Sequence, residues 1–163
     1  MSHSSSSVQA PTLQEFIAAL APRVPITVLS GEAHLGRPIT SQAIQKPGLV
    51  LTGMFEFFHP ERLQVIGRSE LRYFEEAGDH VSMLAARLCD PGVPAFLIVS
   101  GLSVPPALLD GATRAGIPVL ATGHTAAEVM ELGTHYLAVR LAPRVQVHGT
   151  LVDLYALGVL TVG

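Results

Sequence analysis

Between residues 94 and 142 the sequence alternates, at close spacing, between apolar runs and helix signals. Ala95-Phe96-Leu97-Ile98-Val99 is continuously apolar, as a strand covered on both faces must be. Pro105-Pro106 then opens a helix, because the N–H that proline lacks would have no partner in a first helical turn. Leu108, Leu109 and Ala112 give that helix its apolar side, and Gly116 closes it. Ile117–Ala121 is the next strand. Thr125 and Glu128 have the spacing of a capping box, in which hydroxyl and carboxylate satisfy free N–H groups at a helix start. Val129, Leu132 and Tyr136 carry this helix to about Leu141, and Pro143 ends it. Strand, helix, strand, helix at this spacing implies a mostly parallel sheet with crossover helices, an α/β fold.

The flanking segments add elements. Thr12 and Glu15 form a further capping box, and Leu13, Phe16, Ile17 and Leu20 give one apolar helical face before Pro22. Ile26–Leu29 reads as a short strand closed by Ser30-Gly31. Residues 32–60 read as turn chemistry around short extended pieces, with Gly36–Ile39 and Lys46–Leu49 as the turns. Arg62–Ile66 reads as a strand ended by Gly67. A helix over Ser69–Ala77 is expected to be capped by Ser69, and Asp79 to cap a second one bearing Val81, Leu84, Ala85 and Leu88.

After Pro143 the pattern changes. Val145, Val147 and Gly149 alternate with Arg144, Gln146, His148 and Thr150, and Val159–Val162 is a second apolar run. The pair predicts a β-hairpin; the alternation blurs at Leu151-Val152, and a glycine where strand phase slips suggests a bulge or a close backbone approach. A domain seldom ends on an apolar strand, so the reading expects three parts. They are a disordered tail over 1–11, an α/β domain over 12–142, and the truncated start of a second domain over 143–163.

Composition removes several function classes. Of 163 residues 48% are hydrophobic and 14% charged, with net charge −3, which is not the balance of a disordered polyelectrolyte. One lysine, Lys46, and arginines scattered from Arg23 to Arg144 make no basic surface for nucleic acid. Cys89 stands alone, which excludes an internal disulfide and reads as a small buried hydrophobe. No apolar run is long enough to span a membrane, and Met1–Ser7 is not a secretory signal, so a cytoplasmic protein is expected. The seven histidines show no short metal-ligand spacing, and no metal site is expected from them. No G-x-S-x-G elbow supports a hydrolase triad. Asp79, Asp90 and Asp110 read as cap or turn residues. By itself, His148 reads as a solvated histidine on a strand's polar side. Gly163, after the apolar run, stands where the first glycine of G-x-x-x-x-G-K-[ST] would.

Several segments, in this order, resemble one family. They are Arg37-Pro38-Ile39, Lys46-Pro47-Gly48-Leu49, Arg62–Leu71, Val93-Pro94-Ala95, Gly116–Leu120, Leu141–Arg144 and Val147-His148-Gly149-Thr150-Leu151-Val152-Asp153, followed by Gly158–Gly163. From Thr12 onward the chain resembles the N-terminal half of bacterial HPr kinase/phosphorylase. The resemblance implies a fold like the N-terminal domain of Mur ligases, joined to a kinase half. It implies a homohexameric serine kinase that phosphorylates the phosphocarrier HPr with ATP and Mg²⁺. The same enzyme would remove the phosphate by phosphorolysis, making pyrophosphate, in carbon catabolite repression. His148 matches the family's active-site histidine and Gly163 the first phosphate-loop residue. The alternative is a stand-alone α/β module that binds a ligand or partner without catalysis. A Gly-Lys-Ser four residues beyond Gly163 would decide between them.

Overall fold

A computed structural model describes residues 9–143 and the backbone of 149–154 and 157–162. Five strands form one sheet in the order β1 (Thr27–Ser30), β5 (Val119–Ala121), β4 (Phe96–Ile98), β3 (Leu63–Ile66), β2 (Ile44–Gln45). β2 to β5 run parallel; β1 pairs antiparallel with β5 on the edge. The helices are α1 (Leu13–Leu20), α2 (Gly48–Leu51), α3 (Arg68–Glu76), α4 (Val81–Leu88), α5 (Pro106–Ala115) and α6 (Ala126–Leu141).

Strand side chains alternate between faces, and this sorts the core into two layers. Leu63, Val65, Leu97, Val99 and Leu120 pack with residues of α1 and α6. Ile66, Phe96, Ile98 and Val119 pack with residues of α2 to α5. Ala95–Val99 is buried throughout, which is why it contains no polar residue. Both threonine capping boxes form: the Thr12 hydroxyl accepts from Glu15 N (3.2 Å) and that of Thr125 from Glu128 N (3.3 Å). Gly116, at φ 67°, closes α5 in the left-handed conformation that glycine adopts without a Cβ clash. Pro11, assigned to the tail by sequence, is buried, and its carbonyl accepts the Ile39 N–H at 2.8 Å.

Several local expectations are corrected. Ser69 does not cap α3; Gly67 does, and its N–H donates to the Glu70 carboxylate (2.9 Å), which sets Arg68 as the first helical residue. Asp79 does not cap α4. It lies in a 3₁₀ turn, Gly78–His80, whose last residue His80 stands at the cap position of α4 with right-handed helical angles, as do the flanking Ala77 and Val81. The chain therefore passes from α3 to α4 without the extended residue that an N-cap requires. Asp110 is neither cap nor turn but an exposed residue within α5, because Pro105 holds the cap position. Asp90 does serve a turn, accepting from Gly92 N at 2.7 Å. Part of the expected turn at 46–49 is helical: α2 forms one turn there, burying Val50 and Leu51 against the α2–α5 layer.

The C-terminal hairpin forms from β6 (Gly149–Leu154) and β7 (Leu157–Val162). Its register is unbroken from Gly149↔Val162 to Leu154↔Leu157, so the suggested bulge at Leu151-Val152 is absent.

Candidate functional site

His148 and Gly163, the two residues singled out for phosphate chemistry, lie outside the described residues. The strands leading to them are described. Gly149↔Val162 is the pair at the open end of the β6–β7 hairpin. In sequence, His148 precedes the first residue of that pair and Gly163 follows the second. The polar face expected for His148 alongside Arg144 and Gln146 also lies outside the described residues.

In open α/β sheets ligands usually bind beyond the carboxyl ends of the parallel strands. Here that edge carries Lys46 after β2, Gly67 after β3, Ser100-Gly101 after β4 and His124 after β5. Beyond β2 and β3 lies Glu70, 3% exposed. Its carboxylate accepts from Gly67 N (2.9 Å) and the Ser69 hydroxyl (3.2 Å) and pairs with Lys46 Nζ at 3.4 Å. A buried carboxylate is costly unless it is paired and hydrogen-bonded, and these contacts supply both. A Cβ at Gly48 or Gly67 would come within 3.3 Å of the Glu70 oxygens, so both glycines make room for them. The cluster ties the end of β2 to the start of α3.

Ser100 and Gly101 both have positive φ, 60° and 63°, which could suggest an anion-binding concavity. Their N–H groups are already engaged, donating to His124 O (2.7 Å) and Thr122 O (3.0 Å). At the start of α6 the Glu128 carboxylate takes the position an anionic ligand would use, accepting from Thr125 N and lying 3.4 Å from His124 Nδ1. The Thr125 N–H and hydroxyl, then His124, hold this carboxyl below its ordinary value. Protein groups thus fill the edge where such sheets bind phosphates.

Two further residues have mainly architectural roles. The Arg37 guanidinium donates to Gly116 O (2.7 Å) and to Pro91 O, tying together the loops that precede β4 and β5. Cys89 is half-buried, and burial pushes its thiol up to about 11, so little thiolate forms near neutral pH. Among the described residues no three His, Cys, Asp or Glu side chains converge to hold a metal ion. Sequence reasoning missed the Lys46–Glu70 pair. Gly67-x-x-Glu70 carries the three-residue spacing of a capping box with glycine in place of threonine, a signal too weak to use alone.

The family described as HPr Serine kinase N terminus matches residues 12–137, nearly the whole of the sheet and its helices. The chain belongs to this family. An HPr kinase/phosphorylase of Geobacter sulfurreducens is 40% identical over 139 residues, covering 85% of this chain and 44% of the relative. One of Halalkalibacterium halodurans is 37% identical over 146 residues (88% and 47%). Another, of Lactiplantibacillus plantarum, is 40% identical over 128 residues (78% and 41%). This member of the family therefore spans a little under half the length of these curated relatives. Among its described residues no helix is long and apolar enough to cross a membrane.

Proposed function

We propose that residues 12–142 form the N-terminal regulatory and assembly domain of a bifunctional HPr kinase/phosphorylase, and that residues 143–163 open its kinase domain. The full enzyme would phosphorylate a serine of HPr with ATP and remove the phosphate by phosphorolysis, as a cytoplasmic homohexamer in carbon catabolite repression. The observation that carries this reading is the family match over 12–137, together with relatives named HPr kinase/phosphorylase. One feature agrees with a domain that does not itself bind phosphate: at the carboxyl edge of its sheet the Glu70 and Glu128 carboxylates occupy the N–H donors of Gly67 and Thr125.

The described residues do not fit a magnesium site. In this reading residues of the kinase domain after Gly163 would hold ATP and Mg²⁺. This chain's contribution would be His148, which precedes β6 in the sequence and matches the family's active-site histidine by resemblance. An imidazole next to bound phosphates can hold or pass a proton as the serine hydroxyl reacts.

Extending the coding sequence past Gly163 is the direct test: four residues and then Gly-Lys-Ser support the reading, and any other continuation overturns it. In the longer enzyme, His148→Ala is expected to slow phosphoryl transfer to HPr by roughly 10²–10⁴. Its thermal stability should change by less than about 0.5 kcal/mol. A large stability loss with turnover retained makes His148 structural. The purified 163-residue chain should not phosphorylate HPr with ATP and Mg²⁺. A chain ending at Ala142 should melt close to the longer one, and a large drop would place residues 143–163 in the first domain's core.

A further inference from the structure

On the sheet face covered by α2 to α5, a groove of about 570 Å³ lies between α3 and the first turn of α5. Its floor is apolar: Leu71 and Phe74 of α3 are buried, and Val104 and Pro105 close the side toward α5. This size and floor are those of small-molecule sites, which hold an apolar body and orient it by a few polar groups. The polar groups here share one character. Glu75 and Asp110 stand exposed at the rim, and no lysine, arginine or histidine lines the groove. Neither carboxylate takes part in an ion pair among the described residues. The other polar side chains, Ser82 and Ser103, are hydroxyls that can accept as readily as donate.

The first turn of α5 would ordinarily favour an anion instead. It begins, however, at Pro105-Pro106, two residues without an N–H, and has no side-chain cap. The helix start therefore offers an anion fewer donors than usual, while two carboxylates with no cationic partner among the described residues flank an apolar floor. We propose that this groove binds a small organic cation, an ammonium group carried on an aromatic or aliphatic body of roughly ten heavy atoms. The apolar body lies over Phe74 and Leu71, and the ammonium group donates to Asp110 and Glu75. This site does not depend on the kinase reading, since it uses none of the residues assigned to phosphate chemistry. Because the rim carboxylates are in water, the affinity is modest, on the order of millimolar for a fragment-sized probe.

The test is amide-resolved NMR titration of the 163-residue chain with phenethylammonium, 2-phenylethanol and 3-phenylpropionate, which share an aromatic body and differ in charge. Phenethylammonium should give saturable shifts confined to α3, the start of α4 and residues 103–110, with the neutral alcohol several-fold weaker and the anion without effect. Glu75→Gln with Asp110→Asn should weaken the cation several-fold, to the level of the alcohol, and leave the rest of the spectrum unchanged. The proposal is overturned if no probe saturates, if the alcohol binds as tightly as the cation, if the anion binds best, or if the double substitution leaves cation affinity intact.

Discussion

α1 and α6, on one face of the sheet, each begin at a threonine whose hydroxyl accepts from a glutamate N–H while the carboxylate reaches back. On the other face none of α2, α3, α4 and α5 starts with a side-chain hydroxyl; their caps are Pro47, Gly67, His80 and Pro105. The layers also differ in filling. Gly133 brings α6 so close that an added Cβ would lie 2.7 Å from Ile44 Cδ1 and 3.1 Å from Phe16 Cζ. The edge-to-face pair of Phe16 and Tyr136 (5.9 Å) and the Arg140–Glu15 ion pair (3.2 Å) lock the same two helices. The opposite layer leaves Leu49, Met54, Phe55, Phe57 and Met83 exposed, with Arg87 stacked 4.3 Å over Phe55. Both layers carry grooves, the α1–α6 side one of about 300 Å³ beside Leu20, Leu132 and Val139, so the difference teaches that self-capped helices are set by their own sequence whereas the short helices of the other layer are set by packing.

The sharpest way to break this contrast is to cut into each layer. Phe16→Ala, at a fully buried site, should cost about 3–5 kcal/mol in denaturant unfolding. Met83→Ala, where the side chain is 56% exposed, should change stability by less than about 0.5 kcal/mol. Equal losses would mean that Met83 is packed in solution and not exposed.

Capping gives the next effect. Thr12→Ala and Thr125→Ala should each cost about 1 kcal/mol, because each removes the acceptor of a helix-start N–H. Ser69→Ala and Asp79→Ala, at the positions that sequence pattern favoured as caps, should cost less than about 0.5 kcal/mol. Thermal melts on the four variants separate the groups, and a full cap-sized loss at Asp79 would overturn the assignment of His80.

The smallest effect is in pH. The Thr12 backbone N–H, then Arg140, lowers the Glu15 carboxyl, and Thr125 does the same for Glu128. A carboxyl that is lower in the folded state adds stability above its unfolded value, and that stability is lost as pH falls through the folded value. Acidification below the ordinary 4.5 should therefore weaken the α1–α6 layer first. Melting temperatures from about pH 6 down to about pH 3 should fall less steeply in the Glu15→Gln, Glu128→Gln variant. Parallel curves would show that these carboxylates do not couple to folding.

Legibility followed the range of the interactions. Residues 94–142 were readable because Thr125 and Glu128, Pro105-Pro106 and Gly116 act within a turn or two of their own positions. Residues 32–60 were not, because what orders them comes from elsewhere. α2 is four residues long and holds through the burial of Val50 and Leu51 against α3–α5, and Gln45 is engaged by Phe57 O and His59 N. The Lys46–Glu70 pair joins residues from separate elements, which no local pattern announces.

The sequence by itself determined where α1, α5 and α6 begin, which runs become buried strands, and that the sheet is mostly parallel, because these follow from caps, prolines and hydrophobic period. Only the tertiary structure decided the strand order β1-β5-β4-β3-β2 and the antiparallel edge of β1. It also decided that carboxylates close the sheet's carboxyl edge and that the groove beside α5 carries uncompensated negative charge. These depend on which distant segments meet. That is set by the summed burial of two layers, and no single stretch of chain contains it.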